Sequence, residues 1–506
     1  MPAVFYCVVF PVFAPIPSFG YNFFVKNNNK KNNFFPPLAI SYDDVLLVPH
    51  YSDIPSRKMI DLKTMFSRRI ELNIPIASAN MDTVTGSQMA IRMAREGGIG
   101  IIHRFQTAEE EADEVRRVKR AENILIQDPI TISKTATLRE ALSVCAKNGI
   151  TGMIVVSENN TIEGILTNRD IRFQTDLEIP ISKIMTPKEK LVTAPENIRI
   201  EDAKKLLDKH KIEKLPLTDK NGKLVGLITS ADYKKMKDSP LASKDKKGRL
   251  LVGAAVGVKD GVERAELLVK AGVDVLVIDI AHGHHKKTIE LTKQLKKKFP
   301  NTDVVAGNVA TAEGTLDLIK AGADAIKVGI GPGAACSTRI VAGSGVPQLT
   351  AVLACVETAK KFKIPVIADG GIKTSGDLAK ALAAGASTVM IGNLLSGTKE
   401  SPGEYYIESG AAFKMYRGLA SRDASADQVS RGNDSIERQE RAPEGIGYRV
   451  TFKGEAKKIL HGLLDGLQSG MSYTGARNLK EFEKKAEFVR ITPAGMQESQ
   501  PRSYQV

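Results

Sequence analysis

Between residues 329 and 338 the chain reads Gly329-Ile330-Gly331-Pro332-Gly333-Ala334-Ala335-Cys336-Ser337-Thr338. Glycines at alternate positions let a backbone turn tightly and present main-chain dipoles to a ligand, and Pro332 stiffens the run. Position 334 is Ala, so the dinucleotide pattern G-x-G-x-x-G fails, and no Lys-Ser/Thr pair follows as in a P-loop. The informative residue is Cys336: a thiolate among backbone dipoles is a nucleophile, against the alternative of an inert cysteine at a strand end. Two further runs carry glycines after apolar segments, Ala368-Asp369-Gly370-Gly371-Ile372 and Met390-Ile391-Gly392-Asn393. Seen singly each is a tight turn; seen together after the last two strands of a barrel they form a phosphate grip. The cluster His282-Gly283-His284-His285 lacks a supporting carboxylate or cysteine at ligand spacing, so it reads as loop rather than zinc site.

These groups need a scaffold, and the apolar runs supply one. Candidate strands are 74–78, 99–103, 251–255, 273–278, 303–306, 325–328, 365–368 and 388–391, each followed by a helical pattern. Strands buried on both faces and alternating with helices indicate a parallel α/β fold, and eight of them suit a (β/α)₈ TIM barrel, whose loops after the strands carry chemistry. Asp279, Asn308, the cysteine loop, Asp369 and Gly392 all fall at such ends.

The barrel pattern stops near Glu122 and resumes near Leu250. Within the gap, Gly164-Ile165-Leu166-Thr167-Asn168-Arg169-Asp170 recurs as Gly226-Leu227-Ile228-Thr229-Ser230-Ala231-Asp232, 62 residues later. Such self-similarity marks a duplication, and the pair resembles tandem CBS modules. That resemblance implies adenine nucleotides as regulators, with Asp170 and Asp232 at a ribose; the plainer reading is that both aspartates cap helices. The expected organisation is an extension over 1–37, a barrel over 38–122 and 241–506, and CBS modules over 123–182 and 183–240.

The 506 residues carry a formal charge of +14, spread over scattered lysines. That charge suits anionic ligands or a plain basic surface, and without zinc-finger spacing or basic-aromatic strands it argues against nucleic acid. The four cysteines, Cys7, Cys145, Cys336 and Cys355, include no C-x-x-C pair and point to a reducing, cytoplasmic setting. Residues 1–37, rich in Phe, Pro and Asn, lack a basic start and an unbroken apolar run, and read as a disordered extension rather than a signal peptide. No stretch is long and apolar enough for a membrane span.

From Ile40 to Pro501 the chain resembles the inosine-5′-monophosphate dehydrogenase family, together with its sister group, the GMP reductases. The matching segments include Asp43-Asp44-Val45-Leu46-Leu47-Val48-Pro49, Ala79-Asn80-Met81-Asp82-Thr83-Val84, Asp279-Ile280-Ala281-His282-Gly283-His284, Ala306-Gly307-Asn308-Val309, the cysteine loop, Tyr416-Arg417-Gly418 and Pro443-Glu444-Gly445. The resemblance implies NAD-dependent oxidation of IMP to XMP, with Cys336 adding to C2 of the purine and Thr338 assisting the hydrolytic water. It implies NAD at Asp279, Ile280, Ala281, Asn308, Gly329, Ile330 and Gly331. It implies IMP at Ala334, Asp369, Gly370, Gly371, Gly392, Asn393, Tyr416, Arg417, Gly418, Leu419, Ala420 and Glu444. It further implies potassium on carbonyls of Gly331, Gly333 and Cys336, completed by Glu498, Ser499 and Gln500 of a neighbouring subunit, and hence a homotetramer.

The chain departs from that family at three places. Ala334 stands where a serine hydroxyl touches phosphate, Ala420 where glycine is usual, and Arg431 lies near the place of a flap arginine but without the tyrosine that follows it. Arg431 as hydrolytic base competes with a solvated loop arginine, the favoured reading. Two alternatives follow: a GMP reductase that deaminates GMP with NADPH, and a catalytically inactive adenylate sensor. The Arg339-Ile340-Val341 continuation, Tyr416-Arg417-Gly418 and the Glu498-Ser499 tail favour the dehydrogenase.

Overall fold

The computed structural model describes residues 37–121, 126, 129–230, 239–430 and 442–501. Eight parallel strands close into a barrel. In chain order these are β1 (Ile76–Ser78), β2 (Ile99–Ile102), β3 (Val252–Val256), β4 (Val275–Ile278), β5 (Asp303–Val309), β6 (Ala325–Val328), β7 (Val366–Asp369) and β8 (Thr388–Ile391). Each is followed on the outside by its helix: α1 (Ser87–Arg95), α2 (Ala108–Ala121), α3 (Gly261–Ala271), α4 (Lys286–Lys298), α5 (Ala312–Lys320), α6 (Gln348–Lys360), α7 (Ser375–Ala383) and α8 (Ala456–Tyr473). The strands anticipated from apolar runs are all present. β5 runs three residues beyond its expected end, because Gly307 and Val309 continue to pair with Lys327 and Val328 across a bulge.

The period-2 alternation of a strand sorts its residues between two cores. Ala77, Ile99, Ile101, Val275, Val277, Val305, Ala325, Ile367 and Met390 fill the barrel interior, closed at the N-terminal end by Phe66, Ile70 and Leu72. Their neighbours Ile76, Ile102, Leu276, Ile278, Val304, Ile326, Val366 and Val389 face the helices. The same parity turns Lys327 and Asp369 inward, at the C-terminal mouth. Helix starts are set by side-chain caps: Thr311 accepts the Gly314 amide ahead of α5, and Thr374 with Asp377 forms a reciprocal box ahead of α7.

Between β8 and α8 an antiparallel sheet of Tyr406–Glu408, Ala411–Arg417 and Gly447–Thr451 rises beside the mouth and carries Tyr416 and Arg417 there. The insert between α2 and β3 folds as two small sheets, one holding Gly152–Val156 and Ile162–Thr167, the other Lys214–Thr218 and Leu224–Thr229. Each hairpin shifts register at the equivalent place, Val155/Val156 and Leu217/Thr218, as a duplication requires. The copies pack through Ile154, Ile162 and Ile165 against Leu224 and Leu227.

Candidate active site

The cysteine loop leaves β6 at Gly329, whose φ is +147°; a Cβ there would lie 2.1 Å from the carbonyl oxygen of Asp369. Only glycine lets the loop root press so closely on the end of β7. Gln348, opening α6, donates to Val328 O at 2.9 Å and Asp369 O at 3.2 Å, and so ties the two strand ends together. The Cys336 amide donates to Gly333 O at 3.0 Å, closing a turn that leaves the cysteine exposed.

Glu444 arrives from 106 residues away. Its carbonyl accepts the Ser337 amide at 2.9 Å, while Ala335 O accepts Ile446 N at 3.0 Å, so Pro443–Ile446 lies along the cysteine loop like a strand. Gly418 permits this stack: a Cβ on it would stand 2.7 Å from Ala335 O. Leu419 and Ala420 follow on the same rim, and Ala420 lies against Gly445. The result is a chain of polar atoms: Cys336 Sγ donates to Thr338 Oγ1 at 3.2 Å, and Thr338 Oγ1 donates to Glu444 Oε2 at 2.8 Å. Arg339 is wedged behind the loop, donating to Ile330 O at 3.2 Å and Val346 O at 2.6 Å. Burial pushes its guanidinium below the usual range, while the Cys336 sulfur acts the other way.

On the β7 side, Asp369 Oδ2 accepts Asn308 Nδ2 at 2.9 Å and Lys327 Nζ at 2.8 Å. Asn308 Nδ2 also donates to Gly329 O at 2.8 Å. Asn308, expected on the cofactor side, thus spends its amide on the floor of the mouth. Gly370 meets Pro332 and Gly333, and Gly371 meets the ring of Tyr42. At the end of β8, Gly392 leaves room for Met81 Sδ and Tyr416 Oη, each within 3.3 Å of where its Cβ would be, and Asn393 donates to Tyr448 Oη at 3.0 Å. Tyr416 is almost wholly buried; burial pushes its hydroxyl far up, with Tyr448, Asp369 and Cys336 adding to the shift. Arg417, expected at substrate, is held by Asp82 at 2.6 Å and Asp427 at 2.5 Å.

On the opposite rim, Asp279 follows β4 and accepts Arg104 Nε at 2.8 Å. Ile280 and Ala281 continue that loop, and Gly283 packs directly on the Gly307–Asn308 peptide, donating to Asn308 O at 2.7 Å. His284 pairs with Asp317 at 3.0 Å and His285 caps α4; among the described residues no group of three metal-binding side chains occurs. Ala334 is exposed beside Cys336. Glu498 ends a short helix (Pro493–Glu498) that packs against the Tyr42–Asp44 turn, Ser499 and Gln500 follow it, and among the described residues no hydrogen bond or ion pair joins these three to the cysteine loop. Asp170 accepts the amide and hydroxyl of Thr167, both at 2.7 Å, as the cap of its own helix. Arg431 and Asp232 lie outside the described residues.

Sequence reasoning missed Lys327, Arg104 and Tyr448. Lys327 had a signal, a lone charge inside the otherwise apolar run of β6; the other two acquire meaning only from what the fold sets beside them.

With this geometry established, comparison with known proteins is informative. The family model described as IMP dehydrogenase / GMP reductase domain matches residues 39–502. Among curated relatives, the inosine-5′-monophosphate dehydrogenase of Aquifex aeolicus is 52% identical over 472 residues, covering 92% of this chain and 96% of the relative. That of Nitrosopumilus maritimus is 50% identical, covering 92% and 98%. Among solved structures, a cysteine-to-alanine variant of GMP reductase from Trypanosoma brucei in complex with guanosine 5′-monophosphate superposes with a TM-score of 0.87 at 44% identity, covering 92% of this chain and 98% of that one.

Proposed function

The chain belongs to the IMP dehydrogenase / GMP reductase family, and on that premise we propose that it is an NAD-dependent oxidoreductase converting IMP to XMP. The observation that carries this reading is an exposed cysteine at the barrel mouth, in line with Thr338 and Glu444 and facing a rim with open polar groups. The 5′-phosphate rests on amides of Gly370, Gly371, Gly392 and Asn393 with the Tyr416 hydroxyl, Asp369 accepts the ribose hydroxyls, and Gly418 to Ala420 with Glu444 border the base. Cys336 sulfur forms a bond to C2 of the purine, and a ring nitrogen takes up the proton; C2, now tetrahedral, can give up its hydrogen with the electron pair. NAD, when bound, supplies the acceptor for that hydride; Asp279, held by Arg104 and half-shielded at the rim, fits a ribose of such a cofactor, with Ile280, Ala281, Gly329, Ile330 and Gly331 beside it. Water then adds to C2 of the resulting thioimidate and the C–S bond breaks, returning the thiol. Thr338 Oγ1 is placed to take the water's proton as its own passes to Glu444 Oε2, a relay that does not require Arg431.

Potassium belongs to the same proposal. The carbonyls of Gly331, Gly333 and Cys336 are hard oxygen donors suited to such an ion, and Glu498, Ser499 and Gln500 of a neighbouring copy would complete the shell in a homotetramer. Adenine nucleotides at the insert modules would require Asp170 to exchange its cap for a ribose.

GMP reduction is the second reading, favoured by the likeness to the Trypanosoma brucei enzyme and by Ala334. Purified protein given IMP with NAD, or GMP with NADPH, separates the two: absorbance at the nicotinamide band rises in the first pair for a dehydrogenase and falls in the second pair for a reductase.

A further inference from the structure

β6 places Ala325 and Lys327 at interior positions, next to a layer that the other strands fill mostly with apolar residues. Lys327 is 3% exposed. An ammonium so deeply placed is retained at a cost in desolvation unless it is paired, and the pairing here is specific. Lys327 Nζ donates to Asp369 Oδ2 at 2.8 Å and to Asn308 Oδ1. Asn308 Nδ2 reaches the same Asp369 Oδ2 at 2.9 Å. Both donors therefore converge on one carboxylate oxygen. Among the described residues no donor reaches Asp369 Oδ1, and that oxygen is not sealed in the core, the side chain being 21% exposed toward the mouth.

A carboxylate with one oxygen saturated and one open has its plane fixed and a single direction in which to accept. Resting on the reading that Asp369 receives ribose, we infer that Lys327 is a positioning residue. It locks Asp369 in the rotation that turns Oδ1 to the 2′- and 3′-hydroxyls, and so selects nucleotides with an intact ribose. Asn308, which also accepts from this ammonium, is held in place on its other side by the Gly329 carbonyl.

The test is calorimetric binding of IMP and of 2′,3′-dideoxy-IMP to the full chain and to Lys327→Met, Lys327→Arg and Asn308→Ala. The wild type binds IMP more tightly than the dideoxy analogue by about tenfold or more, the worth of hydrogen bonds to a charged acceptor. Lys327→Met weakens IMP by about tenfold and leaves the analogue unchanged, closing the gap; Lys327→Arg restores most of it, and Asn308→Ala falls between. A folded Lys327→Met that keeps the full gap, or that loses both ligands equally, overturns the proposal. If Lys327→Met does not fold, Asn308→Ala decides on the same criterion. Turnover is not the readout, so a chain that binds IMP without oxidising it sinks the dehydrogenase reading and leaves this inference standing or falling on its own gap.

Discussion

The two ends of the barrel carry similar charged residues and use them in opposite ways. At the N-terminal end each carboxylate is paired with a cation and a backbone amide. Asp303 accepts Ser67 Oγ at 2.6 Å, the Arg69 amide at 2.9 Å and Arg69 Nε at 2.5 Å. Asp324 accepts Lys296 at 2.7 Å and the Val304 amide at 2.9 Å. Buried Lys119, at the end of α2, bridges Asp274 at 2.6 Å and Asp245 at 3.1 Å, and so ties the segment leading into the insert to the segment returning from it. At the C-terminal end Asp369 keeps one oxygen open, Cys336 is exposed, and Thr338 joins sulfur to carboxylate. Ion pairs away from the mouth serve stability; a group at the mouth with an unfilled hydrogen-bonding position can receive a ligand.

The contrast breaks most visibly at Cys336. Cys336→Ala should lower turnover by more than about 10³-fold while IMP affinity changes little, because the sulfur acts only on the reaction path; steady-state rates beside calorimetry decide it, and unchanged turnover ends the nucleophile reading. Lys119→Met should do the reverse. It leaves the largely buried Asp274 without its cation and Asp245 with Arg249 alone, at a cost of about 3–5 kcal/mol, seen as a lower urea midpoint, while kcat of the folded enzyme is retained. Loss of kcat in step with stability would erase the distinction between the ends. Thr338→Val cuts the relay from sulfur to Glu444 and should lower kcat by roughly 10²-fold with little change in the KM for IMP, read by steady-state kinetics.

The cysteines sharpen the comparison on a smaller scale. Iodoacetamide should modify exposed Cys336 and spare Cys355, which lies wholly buried on α6. Burial pushes the Cys355 thiol up to about 12, so the folded chain holds that proton more tightly than the unfolded one. Its contribution to stability is complete below the unfolded thiol's value and is lost as pH rises through the folded value. Wild-type stability should therefore fall in alkali with a component that Cys355→Val removes; identical alkaline slopes in chemical denaturation would refute it.

Much of this was legible beforehand. Runs such as Val275–Ile278, apolar at every position, announce strands covered on both faces; the repeat of Gly-Ile-Leu-Thr as Gly-Leu-Ile-Thr announces the duplicated insert; Cys336 in its glycine loop stands out as the candidate nucleophile, exposed at the mouth. The partners were not legible. Glu444 reaches Thr338 across 106 residues of chain, Arg417 turns to Asp82 and Asp427 rather than lying free for a nucleotide, and Asn308 points to Asp369 rather than outward.

What the amino-acid order determined by itself was periodic and local: which segments are strands and helices, where the glycines permit a turn, and which residue types stand at strand ends. The tertiary structure alone decided which oxygen of Asp369 is occupied among the described residues, and that Lys327 and Asn308 together occupy it. The reason is physical. Strand and helix patterns arise from burial and backbone geometry within a few residues of one another, whereas a hydrogen bond depends on ångström-scale distances between atoms brought together only when the barrel closes.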